Sequence, residues 1–232
     1  MRISVLRGRD ELLERILGDG PLLRTLWGLT AVMVASAALY GAALGSWHGF
    51  RLAVYDAVKL PTVLVLTSAF TMLFSWIAAR LSGVSLRFAQ VAALTFLGLA
   101  TGAVVLASLT PIAWFFTFCA PSPSGAARAT HNALYLMHTS CVAACGVAGS
   151  RTLWFAMLRL PHPRSLVMGV YALWVLAYAI VGGEVAWMLR PFVGSVSPVH
   201  PLVFLRHDAM TGNVYEFIVT DILPFLLSGS ES

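Results

Sequence analysis

From Lys59 to Arg80 the chain reads KLPTVLVLTSAFTMLFSWIAAR, and the 20 positions between these two cations carry no charge. As a helix, such a run spans about 30 Å, the thickness of a bilayer's hydrocarbon core. Pro61 falls just inside the start, where a helix has a spare N–H and tolerates proline. Lys59 and Arg80 mark the two ends, where their charged tips reach the headgroups. A soluble helix has no need of this sequence. The stretch is expected to cross a membrane, and other stretches repeat its pattern.

Composition extends the argument to the whole chain. Of 232 residues, 59% are hydrophobic and 11% charged, and the mean hydropathy is +0.82. Soluble domains carry about 25% charge, so a chain this apolar needs lipid as its solvent. One polytopic bundle accounts for the length without a separate soluble domain. The basic residues stand singly at the ends of apolar runs, so the net charge of +5 fits a membrane surface and not nucleic acid. Cys119, Cys141 and Cys145 make no disulfide framework. Arg2, Arg7 and Arg9 are not followed at once by a short apolar stretch with a small-residue cleavage site, so no removable signal peptide is expected.

The pattern predicts an all-α membrane bundle of five main spans, with an amphipathic interfacial helix at each end. Residues 1–25 read as a cytoplasmic lead-in, residues 26–190 as the bundle, and residues 191–232 as an outer-side tail. In the lead-in, Asp10 caps a short helix with Leu12, Leu13, Ile16 and Leu17 on one face, ended by Gly18 and Gly20. It is open as an interfacial or partner-docking helix, or as a stub resting on the bilayer. The remaining spans are expected at Leu26 to Trp47, Phe88 to Thr110, His131 to Ser150 with a continuation to Leu160, and Leu166 to Met188. Pro111 and the aromatic run Trp114, Phe115, Phe116 and Phe118 mark a kink or an interfacial segment. In the tail, residues 213–227 carry Glu216, Asp221 and Pro224, which favours a helix lying on the membrane or the bundle. A tilted or re-entrant sixth span is the alternative. With five spans and an internal amino terminus, ten Lys and Arg fall inside and five outside, which places the amino terminus in the cytoplasm.

Gly41 and Gly45 lie one helical turn apart, and Gly98 and Gly102 repeat the spacing. Such grooves let helix backbones approach closely, here within the bundle in preference to a dimer.

No Walker-type loop, dinucleotide fingerprint, zinc-protease motif or nucleophile elbow is present, so a non-enzymatic role is expected. Three constellations are candidates for chemistry. In the fourth span, His131, Tyr135, His138, Cys141 and Cys145 share one helix face. His138, Cys141 and Cys145 could meet one soft metal ion, or a histidine could ligate haem, whereas a polar seam between helices is the plain structural reading. In the fifth span, Glu184 follows two glycines, and an intramembrane carboxylate calls for a partner. Arg190 is off its face, so His131, His138 or Arg128 are the better candidates. Proton or ion coupling and a hydrated near-interface carboxylate are both open. In the tail, His200, Arg206, His207, Asp208 and Glu216 match no metal spacing and read as a solvated loop.

Residues 37–67, AALYGAALGSWHGFRLAVYDAVKLPTVLVLT, and residues 186–206, with AWMLRPFVGS and PLVFLR, resemble a family of small bacterial polytopic membrane proteins. The shared features are a glycine-bearing first span, a Lys-Leu-Pro entry to the second, an Arg-Pro-Phe exit from the last main span, and a Tyr-Glu pair in the tail, here Tyr215 and Glu216. The resemblance implies a bacterial inner-membrane protein. It carries no established activity, so it transfers no catalytic residue, and the histidines and cysteines of the fourth span lie outside its pattern.

The leading functional expectation is an accessory, assembly or scaffold subunit that packs against lipid and other membrane proteins, with a homo-oligomer as a further arrangement. The alternative is a small ion, proton or solute transporter using Glu184, His131, Tyr135, His138 and Arg190. The third is a metal or haem protein centred on His138, Cys141 and Cys145.

Overall fold

A computed structural model describes residues 9–123, 128–190, 192–193, 204–205 and 212–217. All regular structure among them is helical: α1 (Arg9–Leu17), α2 (Leu23–Gly45), a single 3₁₀ turn (Ser46–His48), α3 (Phe50–Leu81), α4 (Phe88–Ser108), α5 (Thr110–Cys119), α6 (Arg128–Met157), α7 (Arg164–Leu189) and α8 (Val214–Phe217). Five of these are long and apolar enough to cross a membrane. The shortest, α4, has 21 residues, about 31 Å of helix. The chain is a multi-pass helical membrane protein.

The helices pack around α2, α3 and α4, and α6 and α7 also touch each other through Trp154 and Tyr171, ring centroids 5.1 Å apart. α3 and α4 both pack on α2 and touch each other, α7 lies against α3, and α6 lies against α4. In the apolar windows of the spans, α4 is 67% buried, while α6 and α7 are 22% and 17% buried. Gly49 and Gly83 take φ of +97° and +86°, left-handed conformations that suit glycine, at the two turns flanking α3.

The second span differs from its expected bounds. α3 begins at Phe50, so Lys59 lies inside the helix and is fully buried, not at a headgroup. Asp56 stands three residues before Lys59 on the same side of the helix, and the two charges oppose one another. A cation neutralised in place does not have to end a span. Pro61 is therefore an interior residue of α3, where its ring nitrogen cannot donate to the Ala57 carbonyl. At Pro111 the chain ends α4 and starts α5 anew, with the proline in the first turn, where it replaces a spare N–H.

The lead-in helix α1 turns its apolar face to the bundle. Leu12, Leu13 and Ile16 join a core with Leu86, Val91 and Leu94 of the α4 region and with Ala156 and Met157 of α6. Its last carbonyls are capped from outside. The Arg87 guanidinium donates to Gly18 and Asp19 carbonyls, and Gln90 Nε2 donates to the Leu17 carbonyl at 3.0 Å. Arg159 forms an ion pair with Asp10 at its other end. In the tail, only the turn Val214–Phe217 of the segment expected at 213–227 is helical among the described residues. The rest of that segment, and His200, Arg206, His207 and Asp208, lie outside them.

Candidate functional site

The bundle gathers its buried ionisable groups near the end marked by Trp47. On α3, the side chains of Asp56 and Lys59 are both 0% exposed, and the ammonium is 3.9 Å from a carboxylate oxygen. That distance is an ion pair and too long for a hydrogen bond. Neither oxygen of Asp56 has a hydrogen-bond donor among the described residues. Lys59 Nζ lies over two rings, 5.8 Å from Phe192 and 5.4 Å from Phe204, close enough for cation–π attraction. Two residues beyond the last span thus roof one cation of the second.

Glycines on α2 make room for this pair. A Cβ at Gly41 would lie 2.2 Å from the Asp56 carbonyl oxygen, and one at Gly45 would lie 2.5 Å from the Leu52 carbonyl oxygen and 2.7 Å from an Asp56 carboxylate oxygen. The other glycine pair serves the contact of α4 with α6. A Cβ at Gly98 would lie 3.1 Å from the Gly149 carbonyl oxygen, and one at Gly102 would lie 2.8 Å from that of Cys145. In both places the absent side chain sets the distance between backbones.

Below the ion pair, α3 carries a buried polar stripe of Thr67, Ser68, Thr71 and Ser75. Ser68 and Thr71 donate to carbonyls one turn back, at 2.7 and 2.8 Å. The stripe includes the α3–α7 contact, where Gly182 meets Thr67 and the Tyr178 hydroxyl donates to the Leu64 carbonyl at 3.5 Å.

The fourth-span residues part company. His138 is buried, with its Nδ1 2.9 Å from the Tyr40 hydroxyl of α2. Cys145 is buried in the same cluster, with Cys141 at its edge. His138, Cys141 and Cys145 do not form a metal-holding group, nor do any three His, Cys, Asp or Glu side chains among the described residues. The helical spacing put them on one face, but packing turned that face onto Tyr40. His131 stands beside the Trp47 ring, centroids 5.9 Å apart, and Tyr135 is exposed. Trp47 ties this corner by donating to the Pro121 carbonyl at 2.9 Å. Tyr40→Phe should cost about 1 kcal/mol, one buried hydrogen bond, while keeping the ring's packing. Unfolding midpoints in mixed micelles would check it, and a larger loss would show that the hydroxyl has further partners.

Glu184 is half-buried on α7. The Arg190 guanidinium stacks 3.5 Å from the centre of the Trp187 ring. Tyr215 donates to the Ile180 carbonyl at 2.7 Å, so the tail touches α7 about two turns before that helix ends. Burial first, and the Glu184 carboxylate second, push the Tyr215 phenol above its ordinary range. Glu184 and Arg190 thus belong to the helix packed on α3, whereas His131, Tyr135 and His138 belong to the helix packed on α4.

Sequence reasoning missed Asp56, Lys59 and the α3 stripe as functional candidates. The signal was present, in opposite charges three residues apart and in hydroxyls at 67, 68, 71 and 75. Reading Lys59 as a span boundary concealed it. No protein-family model matches the chain, and neither a curated protein nor a solved structure matches it.

Proposed function

We propose that the chain is a non-enzymatic accessory subunit of a bacterial inner-membrane complex, with α1 in the cytoplasm and α6 offered to a partner. The observation that carries this reading is a contrast between outward faces. Outward-facing positions of α3 include Leu66, Phe70, Leu73, Phe74 and Ile77, and those of α7 include Met168, Leu173, Leu176 and Ile180. These bulky apolar groups suit lipid. From Thr139 to Gly146, the exposed positions of α6 are Thr139, Ser140, Val142, Ala143, Ala144 and Gly146. Only one of them is larger than threonine, a side chain at Gly146 would meet open space, and this small patch is bordered by the exposed Tyr135, Leu136 and Val147. The α6 window also has the lowest mean hydropathy of the five, 1.2 against 1.8 for α3 and 2.0 for α7. Small and hydroxylated faces join membrane helices through close packing and interhelical hydrogen bonds. Orientation rests on the excess of Lys and Arg on the α1 side, and the bacterial inner membrane on the resemblance of residues 37–67 and 186–206.

The test is mass spectrometry of the protein purified in native lipid particles. A companion chain, or a second copy, is expected at fixed stoichiometry. Gly146→Phe should release it while changing the subunit's own stability by no more than about 0.5 kcal/mol, as for an outward site. A wild-type protein recovered alone would remove the reading.

One observation favours transport as a second reading. Asp56 is an intramembrane carboxylate with no hydrogen-bond donor among the described residues, at the head of a polar stripe. Such groups recur along ion and proton paths. Proton flux into liposomes that falls with Asp56→Asn would move the assignment to transport.

A further inference from the structure

A cavity of about 410 Å³ lies between α1 and the end of α6, lined by Asp10, Leu13, Phe155, Leu158 and Arg159. We propose that it binds the headgroup of an amine-bearing zwitterionic phospholipid, with the phosphate on Arg159 and the ammonium on Asp10. The floor is apolar: Leu13 is buried and Phe155 is 44% exposed. The rim is a single ion pair of opposite charges, Arg159 with Asp10, whose side chains are 48% and 73% exposed. Leu158 and Arg159 follow directly on the apolar span of α6, which ends at Met157, so the proposed site lies at the polar end of that span.

An ethanolamine headgroup carries the same two charges in mirror arrangement. Its phosphate accepts from the guanidinium, which suits oxyanions through its planar fork of donors. Its ammonium donates to the Asp10 carboxylate. Opening an exposed ion pair forfeits little, and after the exchange each side chain again faces an opposite charge. A choline headgroup has no N–H to give Asp10. A glycerol headgroup brings no cation, and leaves the carboxylate beside a phosphate. α1 does not depend on the pair for its place, because Arg87 and Gln90 hold its last carbonyls and Leu12, Leu13 and Ile16 hold its face.

The experiment is native mass spectrometry of the full chain with phosphatidylethanolamine, phosphatidylcholine and phosphatidylglycerol of identical acyl chains. Retention of the ethanolamine lipid should exceed that of the choline lipid about tenfold, the worth of one charge-assisted hydrogen bond. Asp10→Asn should erase that preference and raise retention of the glycerol lipid. Arg159→Gln should lower retention of all three, and Arg159→Lys should restore the wild-type order at weaker retention. Equal retention of the three lipids by the wild type, or a preference that survives Asp10→Asn, overturns the proposal. Soluble phosphoethanolamine displacing the lipid at equal concentration would overturn the membrane lipid as the ligand's source.

Discussion

Lys59→Met is expected to destabilise the bundle by about 3–5 kcal/mol, the usual loss when one partner of a buried ion pair is removed. Both side chains of the pair are fully buried. The substitution keeps an unbranched side chain but leaves the Asp56 carboxylate inside the protein with no Lys59 charge opposite it and no hydrogen-bond donor among the described residues. It also removes the cation from beneath Phe192 and Phe204, so the chain beyond α7 should loosen together with α3. The double variant Asp56→Asn, Lys59→Met carries no charge at the site. It should recover part of the loss, held below wild type by the unbonded amide, which costs about 1–3 kcal/mol. Unfolding midpoints of the two variants in mixed micelles measure the difference. A single variant as stable as the wild type would mean that water reaches Asp56 and that the pair is not a dry one.

Gly41→Leu should be nearly as damaging. Overpacking a core usually costs about 1–3 kcal/mol. Here the obstacle to the very first side-chain carbon is a backbone carbonyl of α3, 2.2 Å away, which has no rotamer to change. α2 and α3 must separate, and the ion pair loses its lid of glycine. Even Gly41→Ala should be felt. The control is Gly146→Ala, where open space surrounds the added methyl. Alanine also suits a helix better than glycine by about 1 kcal/mol, so that variant should match or exceed the wild type. Equal stability of Gly41→Ala and Gly146→Ala would show that the close approach of α2 and α3 is not maintained.

The spans themselves were legible in the sequence, because a helix that crosses a bilayer satisfies its own backbone and needs only length and apolarity. The expected bounds of the third, fourth and fifth spans fall within a few residues of α4, α6 and α7. The start of α3 was not legible, because a lone lysine at the edge of an apolar run is indistinguishable from one that has a counterion until the pair's burial is known. Partners across helices were hidden for a different reason. Spacing told that His138 shares a face with Cys141 and Cys145, yet the group it meets is Tyr40, 98 residues away in sequence. The glycine spacings likewise announced close contacts without naming their partners, α3 for Gly41 and Gly45 and α6 for Gly98 and Gly102.

The placement of Asp56 and Lys59 on one helix bears on how the protein is made. Charges that find each other only across two helices must enter the bilayer separately, each exposed to lipid until its counterpart arrives. Asp56 and Lys59 face each other as soon as α3 has coiled, so the pair needs no other helix to bring its charges together. α2 has emerged from the ribosome by then, and it carries Gly41 and Gly45 to close over the pair. The α2–α3 hairpin is thus a self-neutralising unit of insertion, complete before any later span is synthesised.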